Sequence, residues 1–286
     1  MIKKIKSNAK INIGLNITGK LSNGYHLLDM IMAPITLSDE IEIDFTGESG
    51  TLQIKTNKED IPTGRENIIY KVYEAFYKNI GIPSEKINIY LEKKIPHQAG
   101  LGGGSSNGGS FLKELNNYHG NPMSLEEMIE MTKNIGADIP FFLINKTCRI
   151  KGIGEKLQLE ENNLECDILI IKPDFGVSTE KAYNDFSKLK NKKDANIEKI
   201  LKGLKENKLS DVLNNIENHL EQALLIENKN LNSFKRILDN LKFTNFFMSG
   251  SGSAYFSIVE KKNSQEVYAN LKGLLEGCEV YLCSFS

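Results

Sequence analysis

This 286-residue chain lacks a charge bias, a membrane-length apolar run and a cysteine framework, and each absence removes a class of function. The formal net charge is −1, so no global positive field draws the protein to nucleic acid. No apolar stretch approaches the roughly 20 residues needed to cross a bilayer. The first residues, Met1 to Lys6, lead into no hydrophobic signal region, so a cytoplasmic protein with no membrane partner is expected. The four cysteines, Cys148, Cys166, Cys278 and Cys283, show no Cys-x-x-Cys spacing and lie in apolar, strand-like surroundings, which predicts buried free thiols. His26, His97, His119 and His219 have no metal-binding spacing, and no protein metal cage is expected. The one local basic cluster, 181–195, also carries acidic residues and reads as a solvated loop.

What is present is a dense glycine segment. Residues 96–107 read Pro-His-Gln-Ala-Gly-Leu-Gly-Gly-Gly-Ser-Ser-Asn, with Gly100, Gly102, Gly103 and Gly104 inside five positions. Without Cβ atoms, successive backbone N–H groups can converge on an anion, and a following helix would turn its positive end to the same place. No lysine follows the last glycine, so this is not the Walker A pattern and its fold is not expected.

Elsewhere the chain mixes strands and helices without strict alternation, which predicts α+β domains rather than one doubly wound sheet. Residues 10–17 alternate as a half-buried strand, and Ser22-Asn23-Gly24 marks a turn before a second extended segment from Tyr25. Strands are expected at 41–45, 52–56, 87–91, 167–172, 245–248, 254–259 and 278–284. Helices are expected at 66–79, 105–118, from the capping box Ser124–Glu127 to Gly136, and at 196–205, 209–225, 231–241 and 263–275. Phe141–Ile144 reads as a short apolar segment, 184–195 as a loop, and the polar stretch 155–165 as a domain boundary. Two domains follow, 1–155 and 156–286.

Three further segments carry chemistry: Asn8-Ala9-Lys10-Ile11-Asn12 near the start, Gly136-Ala137-Asp138-Ile139-Pro140, and Ser249-Gly250-Ser251-Gly252-Ser253 near the end. With Gly24-Tyr25-His26, Gly176-Val177-Ser178 and the glycine segment, their order resembles that of the GHMP small-molecule kinases. The resemblance runs from residue 9 to 253. It implies a ribosomal-protein-S5-like N-terminal domain and a ferredoxin-like C-terminal domain. Gly24-Tyr25-His26 narrows it to the branch acting on a cytidine diphosphate derivative, since other members do not generally carry that motif.

The implied reaction is phosphoryl transfer from ATP to the 2-hydroxyl of a diphosphocytidyl-methylerythritol. Asp138 is then the general base and Lys10 its charge partner. Asn67, Pro96, Gly100, Leu101, Gly102, Gly103, Gly104, Ser105 and Ser106 are expected to hold ATP. Asn12, Tyr25, His26, Thr179, Tyr183, Gly250 and Ser251 are expected to hold the acceptor, with Tyr25 and Tyr183 offering ring faces to the base. Asn67 equally fits a helix N-cap. Magnesium is expected with ATP, with no protein ligand assigned, and the protein is expected to be a monomer or weak homodimer. Gly108-Gly109, where relatives commonly have alanines, predict a loosened helix start. The rival readings are a GHMP kinase for mevalonate, homoserine or a sugar, a pseudokinase that binds ATP and signals, and a non-catalytic nucleotide- or RNA-binding module.

Overall fold

The computed structural model describes all 286 residues, and the chain clusters into two compact units that interleave along the sequence. The first comprises Met1–Ala9, Leu37–Ile95 and Gly102–Asn145, the second Lys10–Thr36, Pro96–Leu101 and Lys146–Ser286. Two long strands, β1 (Ile2–Lys20) and β2 (His26–Ser49), contribute a stretch to each. The extended segment from Tyr25 and the strand at 41–45 are thus one element. No helix of the chain is long and apolar enough to cross a membrane.

In the first unit, β3 (Leu52–Thr56) runs parallel to β4 (Glu85–Glu92), which pairs antiparallel with Glu40–Phe45 of β2. Four helices belong to this unit: α1 (Ile68–Ile80), α2 (Gly103–Tyr118), α3 (Leu125–Thr132) and α4 (Ile139–Ile144). The inward positions of the strands, Ile41, Ile43, Phe45, Ile87, Ile89 and Leu91, meet Ile69, Val72, Phe76, Phe111 and Leu115 of the helices in one apolar core. Ser124 and Glu127 form the capping box that starts α3. That helix ends at Thr132 rather than at Gly136, whose N–H bonds back to the Thr132 carbonyl. The apolar segment beyond it is α4, with Pro140 in its first turn.

α2 begins at Gly103, two residues before the expected start, because Gly102 takes the left-handed conformation at φ 72° as its N-cap. Gly108 and Gly109 do not loosen it. A Cβ at Gly108 would come within 2.5 Å of Ile68 Cγ2, and one at Gly109 within 3.0 Å of Phe142 Cβ. The two glycines are where α1 and α4 press closest to α2.

The second unit holds a four-stranded antiparallel sheet in the order β10-β7-β9-β8, made of β7 (Cys166–Lys172), β8 (Phe247–Met248), β9 (Tyr255–Glu260) and β10 (Glu279–Ser284). In the same unit, Leu28–Met32 of β2 pair with β5 (Cys148–Gly152), and β5 pairs with β6 (Lys156–Leu159), which lies in the polar stretch read as a domain boundary. The helices are α5 (Thr179–Phe186), α6 (Ile197–Lys205), α7 (Leu209–Leu213), α8 (His219–Glu227), α9 (Lys229–Asn240) and α10 (Lys261–Leu274). The helix expected over 209–225 is broken between α7 and α8. There Asn218 turns its side chain onto the N–H groups of Leu220 and Glu221 and caps α8. None of the four cysteines forms a disulfide; Cys148, Cys166 and Cys283 are buried and Cys278 half-buried.

Candidate active site

In the second unit, the polar face of β1 is buried. Lys10 is 4% exposed and Asn12 3%, so the alternation at 10–17 does not mark a solvent face. The Lys10 ammonium donates to Asn12 Oδ1 and, at 2.7 Å, to the Gly100 carbonyl, while the Lys10 N–H bonds to the Leu101 carbonyl. Lys10 is thereby fixed against the first half of the glycine segment. The Ser249 hydroxyl donates to the same Gly100 carbonyl at 2.9 Å. The N–H groups of Ser253 and Ala254 donate to the carbonyls of Gln98 and Ala99. Residues 96–101 and the Ser249–Ser253 turn are thus laced together. Gly100, at φ 70°, has no alternative residue: a Cβ there would fall 2.0 Å from the Ser249 carbonyl oxygen. Gly250 is a second close approach, since a Cβ on it would stand 3.0 Å from Asn12 Oδ1 and 3.2 Å from Lys10 Nζ.

The same unit carries the aromatic group. The His26 ring stacks on Tyr183 with centroids 5.1 Å apart and planes 20° apart, and it meets Phe186 edge-on at 6.0 Å. Phe186 in turn stacks on His219. Tyr25 is 60% exposed at the preceding turn, a free ring face. Burial, and then the Lys20 charge, lower the His26 pKa below the ordinary histidine value, which favours the neutral ring that both donates and accepts. Thr179, first residue of α5, shares a 2.8 Å hydrogen bond with the Ser251 hydroxyl. Lys10, Asn12, Thr179, Gly250 and Ser251 therefore belong to one connected arrangement. The Lys-rich segment is partly helical, as α5, and beyond α5 the Lys192 ammonium bonds to the Ile17 carbonyl.

In the first unit, the second half of the glycine segment is the opening turn of α2. Ser106 N–H is the first to find an intrahelical partner, the Gly102 carbonyl, so the N–H groups ahead of it make no intrahelical bond and lie at the positive end of the helix. Gly104 is exposed and Ser105 half-buried. Ser106 is fully buried, and its hydroxyl is 2.6 Å from Ser7 Oγ, so it faces the protein interior. Asn67 is the N-cap of α1: its Oδ1 accepts from the Ile69 N–H at 2.9 Å and its Nδ2 donates to the Pro62 carbonyl at 2.6 Å. Asp138 occupies the N-cap position of α4 yet makes no capping hydrogen bond with its side chain. Its carboxylate is half-buried.

Two family models match the chain, GHMP kinases N terminal domain over residues 67–146 and GHMP kinases C terminal over 195–276. A protein of Fusobacterium nucleatum named 4-diphosphocytidyl-2-C-methyl-D-erythritol kinase is 46% identical over 282 residues, covering 98% of this chain and 96% of the other. The chain belongs to the GHMP kinase family. A Clostridium acetobutylicum protein of the same name is 36% identical to this GHMP kinase over 264 residues, 92% of this chain and 93% of the other. A crystal structure titled 4-(cytidine 5'-diphospho)-2C-methyl-D-erythritol kinase is similar at a TM-score of 0.82 and 26% identity, covering 99% and 100% of the two chains. A homoserine kinase from Cytophaga hutchinsonii shares the fold, with a TM-score of 0.75 at 17% identity over 99% of this chain and 95% of the other.

One feature of this GHMP kinase escaped the sequence reading. Lys93, 7% exposed, is ion-paired with fully buried Asp39 and donates to Asn107 Oδ1 at 3.0 Å. Asn107 Nδ2 donates to Asp39 Oδ2 and to Ser7 Oγ, which reaches Ser106. Asp39 Oδ1 also accepts the N–H groups of Lys94 and Ile95. The network lies under the start of α2, where a Cβ at Gly103 would be 3.2 Å from Lys93 Nζ. It fixes the helix end that carries the glycines. The only local signal was Asn107 itself, at the end of the motif.

Proposed function

We propose that this GHMP kinase is a 4-diphosphocytidyl-2-C-methyl-D-erythritol kinase, transferring the γ-phosphoryl group of ATP to the 2-hydroxyl of that substrate in isoprenoid precursor biosynthesis. The observation that carries the reading is the connected arrangement of Lys10, Asn12, Gly100 and the Ser249–Ser253 turn, in the same unit as the His26–Tyr183 stack. A full-length relative with that name, nearly half identical, supports the choice of acceptor. The two family domains, 1–155 and 156–286, are part of the proposal; the family-model matches end at 146 and begin again at 195, on either side of that boundary.

Phosphoryl transfer asks the protein chiefly for positioning and charge stabilisation. The backbone N–H groups of Gly102, Gly103, Gly104 and Ser105 hold the phosphates, with the Ser105 hydroxyl beside them. Pro96, Gly100 and Leu101 are proposed as ATP-binding residues as well. Ser106 and Asn67 act through the backbone they fix. Asp138 takes the proton of the attacking hydroxyl, and Lys10 offsets the negative charge that develops on the transferring group. Tyr25 and Tyr183 offer ring faces to cytosine, and neutral His26 reads its edge. No group of three or more His, Cys, Asp or Glu side chains converges to form a metal cage. Magnesium would arrive with ATP and would offset the charge of its phosphates.

The test is Asp138→Asn. The variant is expected to fold as the wild type does, because the side chain makes no cap to lose, and to drop kcat by about 10²- to 10⁴-fold. A kcat equal to wild type contradicts the role of general base.

A further inference from the structure

We propose that Asn218, the N-cap of α8, and Glu221, in its first turn, are positioning residues for phosphoryl transfer: they clamp the Met248–Gly250 segment and thereby set Lys10 and Asn12. The inference rests on the kinase reading above and assigns new residues to it.

Five hydrogen bonds carry it. Asn218 Nδ2 donates to two carbonyls of the turn, Met248 at 2.9 Å and Gly250 at 2.8 Å. Its Oδ1 simultaneously caps α8 through the N–H groups of Leu220 and Glu221. Glu221 Oε2 accepts the Met248 N–H at 3.1 Å, so the N–H and the carbonyl of Met248 are gripped from the same helix turn. Asn218 is 3% exposed and Glu221 8%, so water does not compete for these bonds.

The clamp reaches the reacting groups through Gly250. Its backbone passes so close to β1 that a Cβ would stand 3.0 Å from Asn12 Oδ1 and 3.2 Å from Lys10 Nζ. The neighbouring Ser249 hydroxyl shares the Gly100 carbonyl with the Lys10 ammonium. A turn free to drift would leave that carbonyl and that ammonium without a fixed wall.

Glu221 carries a second sign of a built device. Its Oε1 and the Tyr255 hydroxyl are both buried and neither finds a hydrogen-bond partner elsewhere. A single proton on Glu221 would serve both, leaving Oε2 as the acceptor for Met248. A glutamine reproduces that pattern: an oxygen for the Met248 N–H and an amide N–H for the Tyr255 oxygen.

The experiment uses three variants of the full chain. Asn218→Ser keeps a capping hydroxyl for α8 and loses the donors to the turn. It is expected to retain the wild-type circular dichroism spectrum, to exchange the backbone amides of 248–254 faster, and to lose about 10- to 100-fold in kcat with KM for ATP little changed. Glu221→Gln is expected to keep kcat near wild type, and Glu221→Ala to lose it as Asn218→Ser does. An Asn218→Ser protein with wild-type kcat, or a Glu221→Gln protein as impaired as Glu221→Ala, overturns the proposal. A wild-type protein that phosphorylates no acceptor overturns the kinase reading instead. Amide exchange still reads the clamp in that case, and unchanged protection of 248–254 in Asn218→Ser overturns it.

Discussion

Glu221 shows how far a single side chain can depart from its ordinary chemistry. Burial pushes its carboxyl up to about 7, against the attraction of Lys235 and with the added repulsion of Glu217 and Asp239. The Tyr255 hydroxyl faces it from β9. Between pH 4.5 and about 7 the folded chain keeps a proton there that the unfolded chain has released. That contribution to stability is complete below 4.5 and is lost as pH rises through 7; the interval corresponds to about 3 kcal/mol. Glu221→Gln does not titrate, so its thermal midpoint is expected to exceed that of wild type at pH 8 by more than it does at pH 5. A gap independent of pH contradicts the assignment. Neither Glu221 nor the buried ion pair of Lys93 and Asp39 was legible in the sequence. The partners Lys93 and Asp39 stand 54 positions apart, and Ser7 and Asn107 stand 100 apart, so no local pattern joins them. Gly100 was legible, because a crowded glycine run states its own reason.

Elements follow the same division. The capping box at Ser124, the helices α1 and α6 and the strands β3, β4 and β7 announce themselves through caps and periodicity that need no distant partner. The break between α7 and α8 did not, because the apolar pattern runs on across it while Asn218 is recruited by α8 and by the Met248–Gly250 carbonyls. Gly108 was misread in sign. Intrinsic propensity charges a glycine in a helix roughly 1 kcal/mol against alanine, but contact with Ile68 decides the position. Gly108→Ala is therefore expected to lower stability in the wild-type chain. In an Ile68→Ala background, where the crowding atom is gone, the same change is expected to raise it by up to about 1 kcal/mol. Denaturant titration of the four proteins checks this; equal effects in both backgrounds would contradict the packing account.

At the scale of the molecule, the two compact units do not coincide with two consecutive stretches of chain, because β1 and β2 each pass through both. The polar stretch at 155–165 is the proposed meeting point of the family domains, and it says nothing of strands that began far upstream. The division of labour along the sequence is clearer. In the proposed reaction the glycine segment supplies phosphate binding and no selectivity. In the same proposal Tyr25, His26 and Tyr183 supply the selectivity, which is why the acceptor is the property most open to test. The most direct measurement is a coupled assay of ATP consumption by the purified protein with 4-diphosphocytidyl-2-C-methyl-D-erythritol, mevalonate and homoserine offered separately. Turnover is expected with the cytidine substrate alone. Turnover with mevalonate or homoserine at equal or greater kcat/KM, or none with the cytidine substrate, would contradict the account.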